Sequence, residues 1–316
     1  MSTYKEINGI KVQSLSSDPP APFVGEVWYN STSNTLKYFA VLSAAWATSG
    51  NLNTGRRSFS GCGTQTAGLA FGGNEGAKNQ TEEYGGTSWT NGGNMGTGRA
   101  YLGGCGTQTA GLAFGGYVSG GSALTEEYGG TSWTAGGNLN TARFGIRGCG
   151  TQTAGLAFGD TNATEEYNGS SWTNGGNLST GRRYMAGAGT QTAGLAAGGG
   201  PGPAQTSTEE YNGTSWTAGG NLNSGRTYLA GAGLQTAALA FGGQKSTPLA
   251  ALTEEYNGSS WTASAAMNVG RAYLAGCGTQ TAGLAFGGDP GSPPTTWNYT
   301  EEFTGAGPAT LTVGTD

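Results

Sequence analysis

The stretch GTQTAGLAFGG, residues 63–73, decides the fold because close variants of it return five more times along the 316-residue chain. No helical periodicity occurs inside the repeat, and a period of this length is typical of a four-stranded sheet repeated around an axis. The sequence therefore predicts an all-β protein, a six-bladed β-propeller. The glutamine of the motif recurs at spacings of 43, 44, 39, 44 and 45 residues, at Gln65, Gln108, Gln152, Gln191, Gln235 and Gln280.

A constant frame surrounds the motif in each copy. It contains an arginine, the motif, a variable segment, the sequence TEEY, an Asn-Gly or Gly-Gly turn and the sequence SWT. In the second copy we predict strand a at residues 100–105, strand b at 111–114, strand c at TEEY and strand d at SWT. Both residues of an Asn-Gly pair tolerate positive φ, so Asn168-Gly169 is a strong hairpin signal.

The two ends of the array predict how it closes. The last copy has strands after Arg271, at 283–286 and at 300–303, but it lacks SWT, whereas Trp46 stands alone before the first copy. We expect the strand of Trp46 to complete the last blade, with residues 310–313 pairing alongside, because closure protects strand edges. The propeller is thus predicted over 46–316, closed by an N-terminal strand.

Residues 1–45 lie outside the array and are predicted to be an attachment segment. Residues 1–24 are polar and read as irregular, with Asp18 and the prolines after it as a linker. The alternation typical of strands occurs over 27–29 and 36–39, and turn-forming residues lie between them at 31–34. This pattern predicts a hairpin.

Charge and composition exclude several function classes. The chain has 14 Lys and Arg against 19 Asp and Glu, a net charge of −5 and no basic run, so neither nucleic acid nor an acidic membrane is an expected partner. Histidine is absent, which removes the usual general base at neutral pH and the commonest transition-metal ligand. We therefore expect no catalytic residue, no metal and no cofactor.

The start of the chain lacks the apolar core of a signal peptide, and no apolar run reaches the roughly 18 residues of a membrane span, so we expect synthesis in the cytoplasm and no membrane insertion.

All four cysteines occupy one position of the repeat, where the two remaining copies carry alanine. A metal or redox cluster is one interpretation, and a small buried strand position is the other. Equivalent positions on different blades are too far apart for a disulfide, whose Cα atoms lie within about 7 Å, so we favour packing. The residues are Cys62, Cys105, Cys149 and Cys277, with Ala188 and Ala232 in the other copies.

Paired carboxylates in each TEE could indicate glycoside hydrolysis or calcium binding. Neighbours on a strand point to opposite faces, however, so a TEE pair does not converge on one substrate. A buried carboxylate needs a partner, and the frame supplies one arginine per copy. We predict six structural ion pairs between Arg56, Arg99, Arg143, Arg182, Arg226 and Arg271 and Glu82, Glu126, Glu165, Glu209, Glu254 and Glu301.

Length variation is confined to the segment between strands b and c. These b–c loops span 74–80, 117–124, 161–163, 200–207, 244–252 and 289–299, and strand alternation places all six on one face. A rigid scaffold with diversified loops on one face is typical of a recognition surface, although unconstrained drift would also vary them. The candidate ligand-binding residues are Lys78, Tyr117, Asp160, Asn162, Lys245, Asp289 and Trp297.

The frame resembles the kelch repeat, in which a double glycine closes strand b, a Tyr and a Trp follow, and an arginine opens strand a. Gly72-Gly73 and Gly115-Gly116 stand in that place, and the third copy departs with Gly159-Asp160. The resemblance implies kelch-like blades but fixes no activity, since propellers host many functions. Copper-dependent sugar oxidases use kelch-type propellers, but their metal needs histidines.

The sequence GEVWYNSTSNTLKYF, residues 25–39, resembles N-terminal pieces of bacteriophage virion proteins, in which such a hairpin precedes a fibre or adhesive module. This resemblance implies a place in the virion and contact with other virion proteins through the N-terminal segment. We expect a non-enzymatic module that binds a host-surface glycan or protein. The alternatives are a head or tail decoration protein without a specific ligand, which would dock through its constant Thr-Gln-Thr face, and an enzyme that acts on surface polysaccharide.

Overall fold

The computed structural model describes residues 3–7, 10–74, 78–200, 204–245, 249–291 and 297–313. These residues form strands, turns and loops, and none of them is helical. The chain separates into two compact units, one of Met1–Ala44 with Gly305–Asp316 and one of Ala45–Thr304.

The first unit is a five-stranded sheet in the order β1-β2-β3-β4-β29. Strands β2 and β3 are parallel, and the other neighbours are antiparallel. The strands are β1 (Thr3–Ile7), β2 (Ile10–Leu15), β3 (Val27–Asn30), β4 (Thr35–Leu42) and β29 (Gly307–Thr312).

The predicted hairpin is confirmed as β3 and β4, but the irregular character predicted for residues 1–24 is wrong at Thr3–Ile7 and Ile10–Leu15, which form strands. The first four residues of β2, IKVQ, alternate apolar and polar residues, which is the pattern of a strand. Asp18 is also more than a linker residue. Its carboxylate accepts hydrogen bonds from Lys37 Nζ at 2.9 Å, Asn30 Nδ2 at 2.8 Å and Trp28 Nε1 at 3.0 Å, and these bonds lower its pKa to about 2.

The C-terminal strand was assigned to the wrong sheet. Residues 310–313 were expected beside the strand of Trp46, yet β29 pairs with β4 in the first unit. Ala45, the first residue of the second unit, pairs with Thr304, its last residue. The segments next to these residues continue as an antiparallel pair, with Gly307 opposite Leu42, and residues after 304 therefore belong to the first unit.

The second unit contains six four-stranded antiparallel sheets, the repeat sheets, each in the order a-b-c-d. The sixth sheet takes its strand d from the start of the unit, as the position of Trp46 predicted. The strands are β6 (Ser60–Gly63), β7 (Gly68–Phe71), β8 (Thr81–Tyr84) and β9 (Trp89–Asn91); β10 (Gly103–Gly106), β11 (Gly111–Phe114), β12 (Thr125–Tyr128) and β13 (Trp133–Ala135); β14 (Arg147–Gly150), β15 (Gly155–Phe158), β16 (Thr164–Tyr167) and β17 (Trp172–Asn174); β18 (Ala186–Gly189), β19 (Gly194–Ala197), β20 (Thr208–Tyr211) and β21 (Trp216–Ala218); β22 (Ala230–Leu234), β23 (Ala237–Phe241), β24 (Thr253–Tyr256) and β25 (Trp261–Ser264); and β26 (Ala275–Gly278), β27 (Ala282–Phe286), β28 (Thr300–Thr304) and β5 (Ala45–Ser49).

Strand a of each repeat sheet contacts strand a of both neighbouring sheets, and the sixth sheet contacts the first in the same way. This arrangement is compatible with a β-propeller. Strand a of the second copy begins at Gly103, three residues later than predicted, because Tyr101 takes a positive φ of 53° and turns the chain.

The core lies between successive repeat sheets. The ring of Phe114 on strand b packs edge-on against Trp172 of the next sheet, with 5.0 Å between ring centroids. The indole N–H of Trp172 donates to the Thr125 hydroxyl at 2.9 Å, and the equivalent bond occurs at all six junctions. The cysteines are free and buried, and the Cys105 thiol lies 3.5 Å from the Thr151 carbonyl of the next sheet.

Candidate functional site

All six b–c loops begin on one side of the second unit, which we call the loop face. The second residue of each double-glycine position donates its N–H to the carbonyl of the repeat arginine in the next sheet, at 2.8–2.9 Å. The sixth sheet donates to the first, so the series is closed. Asp160 fills this role in the third copy, with a positive φ of 71°. The donors are Gly73, Gly116, Asp160, Gly199, Gly243 and Gly288.

A second closed series of hydrogen bonds lies next to these loop starts. It joins the residues two positions after each repeat arginine, and each N–H donates to the equivalent carbonyl of the preceding copy at 2.7–3.0 Å. All six have φ between 53° and 66°, a region that bulky side chains rarely adopt. Such strain persists only where the surrounding structure enforces it. We call this set the axial ring: Ser58, Tyr101, Gly145, Tyr184, Tyr228 and Tyr273.

Four of the six repeat arginines donate hydrogen bonds to both ends of a b–c loop. Arg182 Nη1 donates to the Gly198 carbonyl at 2.9 Å, where the loop begins, and to the Ser207 carbonyl at 2.7 Å, where it ends. Arg56, Arg143 and Arg226 bridge their loops in the same way. Loop length can therefore change between two fixed points without disturbing the sheet.

Each repeat arginine also forms an ion pair with the first glutamate of its own TEE, and the six partners are those that the sequence indicated. The arginines are at most 1% exposed. Burial lowers their pKa, which reaches about 10 for Arg99, and the paired carboxylate opposes this shift. The pairs are Arg56–Glu82, Arg99–Glu126, Arg143–Glu165, Arg182–Glu209, Arg226–Glu254 and Arg271–Glu301.

The second glutamate of each TEE faces a neighbouring sheet. The Tyr211 hydroxyl donates to Glu166 at 2.5 Å, and Tyr84, Tyr128, Tyr167 and Tyr256 make the same contact. The sixth copy has Phe303 in place of tyrosine, and Ser264 donates to Glu255 instead, at 2.6 Å. Both carboxylates of each TEE thus have structural partners.

The Thr-Gln-Thr turns lie at the opposite ends of the strands, and their glutamines also join neighbouring sheets. Gln191 Nε2 donates to the Gly155 carbonyl at 3.1 Å and to the Tyr167 carbonyl at 2.6 Å, both in the preceding sheet. The other five glutamines make equivalent pairs of bonds. The constancy of this turn therefore follows from packing between sheets.

The axial ring carries four half-buried tyrosine rings, which sequence reasoning missed. Centroid distances are 5.5 Å between Tyr101 and Tyr184, 4.3 Å between Tyr184 and Tyr228, and 3.9 Å between Tyr228 and Tyr273. Burial raises the pKa of Tyr184 to about 12 and raises that of Tyr273 further. An available signal was the recurrence of tyrosine two residues after the repeat arginine.

Two clusters on the loop face combine a cation, a carboxylate and an aromatic ring. Arg57 pairs with Asp289, and its guanidinium carbon lies 4.5 Å from the Trp297 ring centroid. Arg183 pairs with Asp160, and its guanidinium carbon lies 4.4 Å from the Phe144 ring. Both arginines directly follow a repeat arginine, so they occupy equivalent positions in copies one and four.

The structure brings together four of the seven predicted ligand-binding residues. Asp289 and Trp297 both contact Arg57. Asp160 pairs with Arg183, which lies over the Phe144 ring, and that ring lies 5.4 Å from the ring of Tyr117. The other three stand apart from these clusters: Lys78 Nζ donates to the Gly55 carbonyl at 3.1 Å, and Asn162 and Lys245 are exposed. Parts of four loops, 75–77, 201–203, 246–248 and 292–296, lie outside the described residues.

Comparison with protein-family models and with curated proteins finds no match to this chain. Within the described ranges no group of three His, Cys, Asp or Glu residues is placed to hold a metal ion. A search of the same ranges for a helix long and apolar enough to cross a membrane finds none.

Proposed function

We propose that this chain is a non-enzymatic recognition module of a bacteriophage virion, and that its loop face binds a host-surface glycan or protein. The observation that carries the proposal is the contrast between fixed loop ends and unlike loops. Four of the six repeat arginines donate to both ends of their loop, whereas the six loops are 7, 8, 3, 8, 9 and 11 residues long.

The finer architecture belongs to this proposal. The two closed hydrogen-bond series and the cyclic contacts between strands a support a six-bladed, kelch-like β-propeller closed by the strand of Trp46. A closed array gives every loop the same rigid base, so a ligand that spans several loops would meet a preorganised surface.

The chemistry of the loop face suits carbohydrate. Aromatic rings offer flat apolar surfaces, while carboxylates and guanidiniums accept and donate hydrogen bonds to hydroxyl groups. The Arg57–Asp289–Trp297 and Arg183–Asp160–Phe144 clusters combine these groups. Tyr117, with 40% of its surface exposed, adds an accessible ring.

The five-stranded first unit is proposed to attach the chain to other virion proteins, on the resemblance of residues 25–39 to phage proteins. Imaging of virions with a labelled chain would test the location, since a recognition module should lie distally.

The binding proposal is tested with a matched pair of triple variants of the full chain. The loop-face variant Tyr117→Ala, Asn162→Ala, Lys245→Ala removes exposed side chains, and the control Thr66→Ala, Thr109→Ala, Thr153→Ala removes exposed side chains of the opposite turns. Binding is measured on an array of bacterial surface glycans and on whole cells. We expect the loop-face variant to lose tenfold or more in affinity and the control to bind like wild type.

Absence of binding by the wild type to any glycan or cell would favour the decoration alternative, which has no specific ligand, and loss of binding by the control alone would move the binding surface to the Thr-Gln-Thr face. Shortening of array glycans by the purified chain would instead favour a polysaccharide-acting enzyme. Unchanged binding by both variants would overturn the assignment of these three residues.

A further inference from the structure

Arg147 differs from the other arginines of the chain. Eight of the nine arginines form an ion pair with a carboxylate. Arg147 pairs with no carboxylate among the described residues, and its Nη1 donates to the carbonyl of Ile146 at 3.1 Å. A guanidinium has five N–H donors, so most of those of Arg147 have no acceptor among the described residues.

The position of Arg147 places this charge on the axis of the second unit. It is the first residue of β14, and the equivalent residues of the other strands a are Ser60, Gly103, Ala186, Ala230 and Ala275. One copy in six therefore carries a long cationic side chain where the others carry small neutral ones. The neighbouring strand leaves room for it, because the Arg147 Cβ faces Gly187 of the next sheet.

A cavity of about 40 Å³ lies beside this side chain. Its lining includes Arg147, Phe59, Leu274 and one glycine from each of the six strands a, so peptide groups form much of the wall. At roughly 10–15 Å³ per water-sized probe, the space holds about three atoms of water size. The lining residues lie one to three positions after the axial ring in sequence, so the stacked tyrosines are close to the cavity.

We propose that this axial cavity binds one small free anion, of the size of formate or chloride, through the guanidinium of Arg147. Arg147 is half-buried, and no carboxylate of the described residues pairs with it, so an anion in the cavity would supply the missing counter-charge. Formate matches the planar guanidinium, which can donate two parallel hydrogen bonds to a carboxylate. Burial lowers the pKa of Arg147 to about 10, so the group is cationic at neutral pH.

This site is independent of the proposed glycan binding, since neither a b–c loop nor a predicted ligand-binding residue lines the cavity. Failure of the anion test would therefore leave the loop-face proposal unaffected. The converse also holds.

The test uses the full chain and titrates sodium formate at constant ionic strength, with sodium gluconate as the balancing salt because gluconate is too large for the cavity. We expect saturable stabilisation, with Tm rising by about 2–4 °C at tenfold excess over the dissociation constant. Broadening of the ¹³C resonance of formate reports binding directly. Arg147→Ala, which installs the residue of three other copies, should lose both effects, while Lys37→Ala removes a cation of the first unit and should keep them.

The proposal is overturned if formate and gluconate affect the wild type equally, or if Arg147→Ala broadens formate as the wild type does. A parallel titration with sodium glucuronate tests whether the bound carboxylate can belong to a larger ligand. Protection by glucuronate equal to that by formate would show that a carboxylate on a larger ligand reaches Arg147, and this would overturn the assignment to a free anion. Should Arg147→Ala fail to fold, Arg147→Gln keeps most of the volume and must also fail to broaden formate.

Discussion

Arg182 and Arg183 are neighbours in the chain, yet they belong to regions with opposite properties. Arg182 is 1% exposed, pairs with Glu209 and donates to both ends of a loop, as do three of its equivalents, Arg56, Arg143 and Arg226. Arg183 has a side chain 37% exposed and pairs with Asp160, a residue that no other copy carries. The comparison teaches that the recurring arginine makes a buried structural contact, while a pair that departs from the repeat leaves its cationic side chain accessible to solvent.

The largest expected effect separates these two arginines. Arg182→Met leaves Glu209 buried without its counter-ion and should lower the free energy of unfolding by about 3–5 kcal/mol. Arg183→Met breaks a partly exposed pair and should cost about 1 kcal/mol or less. Urea denaturation of both variants measures the difference. Equal losses would contradict the distinction between the repeat and the loop face.

The glutamine of the Thr-Gln-Thr turn should rank next. Gln191→Leu removes both donors to the Gly155 and Tyr167 carbonyls of the preceding sheet, and we expect a loss of about 2–3 kcal/mol. Thr192→Ala, an exposed change beside it, is the control and should be close to neutral. If Gln191→Leu were neutral but abolished attachment to the particle, the turn would be a docking surface after all.

Alkaline pH tests the tyrosine–glutamate contacts between sheets. Burial, together with the hydrogen bond to glutamate, raises the pKa of Tyr84, Tyr128, Tyr167, Tyr211 and Tyr256 to about 12. Because the folded pKa lies above the unfolded value near 10, this stabilisation is complete below pH 10 and is lost as pH rises towards 12. Unfolding free energies measured across pH 8–12 should fall over that window.

Tyr211→Phe sharpens the same test at one contact. The loss of a hydrogen bond to a charged acceptor should cost about 1.5 kcal/mol at pH 8 and flatten the decline above pH 10. Phe303 already occupies the equivalent position of the sixth copy, so the ring itself is compatible with the site. A steeper decline in the variant would contradict this account.

The smallest expected effect concerns the cysteines. Cys105→Ala introduces the residue that copies four and five carry and should change stability by about 1 kcal/mol or less. The burial that raises the pKa of Cys105 to about 12 should also keep the folded protein unreactive towards thiol reagents at neutral pH. Rapid labelling of the native chain would show that this position is accessible.

The repeat made most of the second unit predictable. Strand b at 111–114, the six arginine–glutamate pairs and the strand lent by Trp46 all followed from spacing, because a recurring residue must satisfy the same contact in every copy. The first unit has no repeat, so the strand at 10–15 and the role of Asp18 were missed. The sheet that β29 joins depends on its pairing with β4, near the other end of the chain, and the spacing of the repeat does not predict that pairing.

The axial tyrosines and Arg147 escaped prediction for a different reason. Both depend on where the six strands a meet, and a strand pattern read from sequence does not tell which side chains point to an axis. Tyr101 also takes a left-handed backbone conformation that its residue type disfavours. The clusters around Arg57 and Arg183 required knowledge of which loop lies beside which neighbouring copy.

The strand shared between the two ends of the second unit has a consequence for biosynthesis. β5 leaves the ribosome long before its partner β28. Ser49 of β5 pairs with Thr300 of β28, which is translated about 250 residues later. At roughly 5–20 residues per second, β5 waits unpaired for some tens of seconds, with a strand edge able to join another nascent chain. Cells that make this protein on crowded polysomes should therefore accumulate misassembled chains joined through residues 45–49, and slower translation should increase their number.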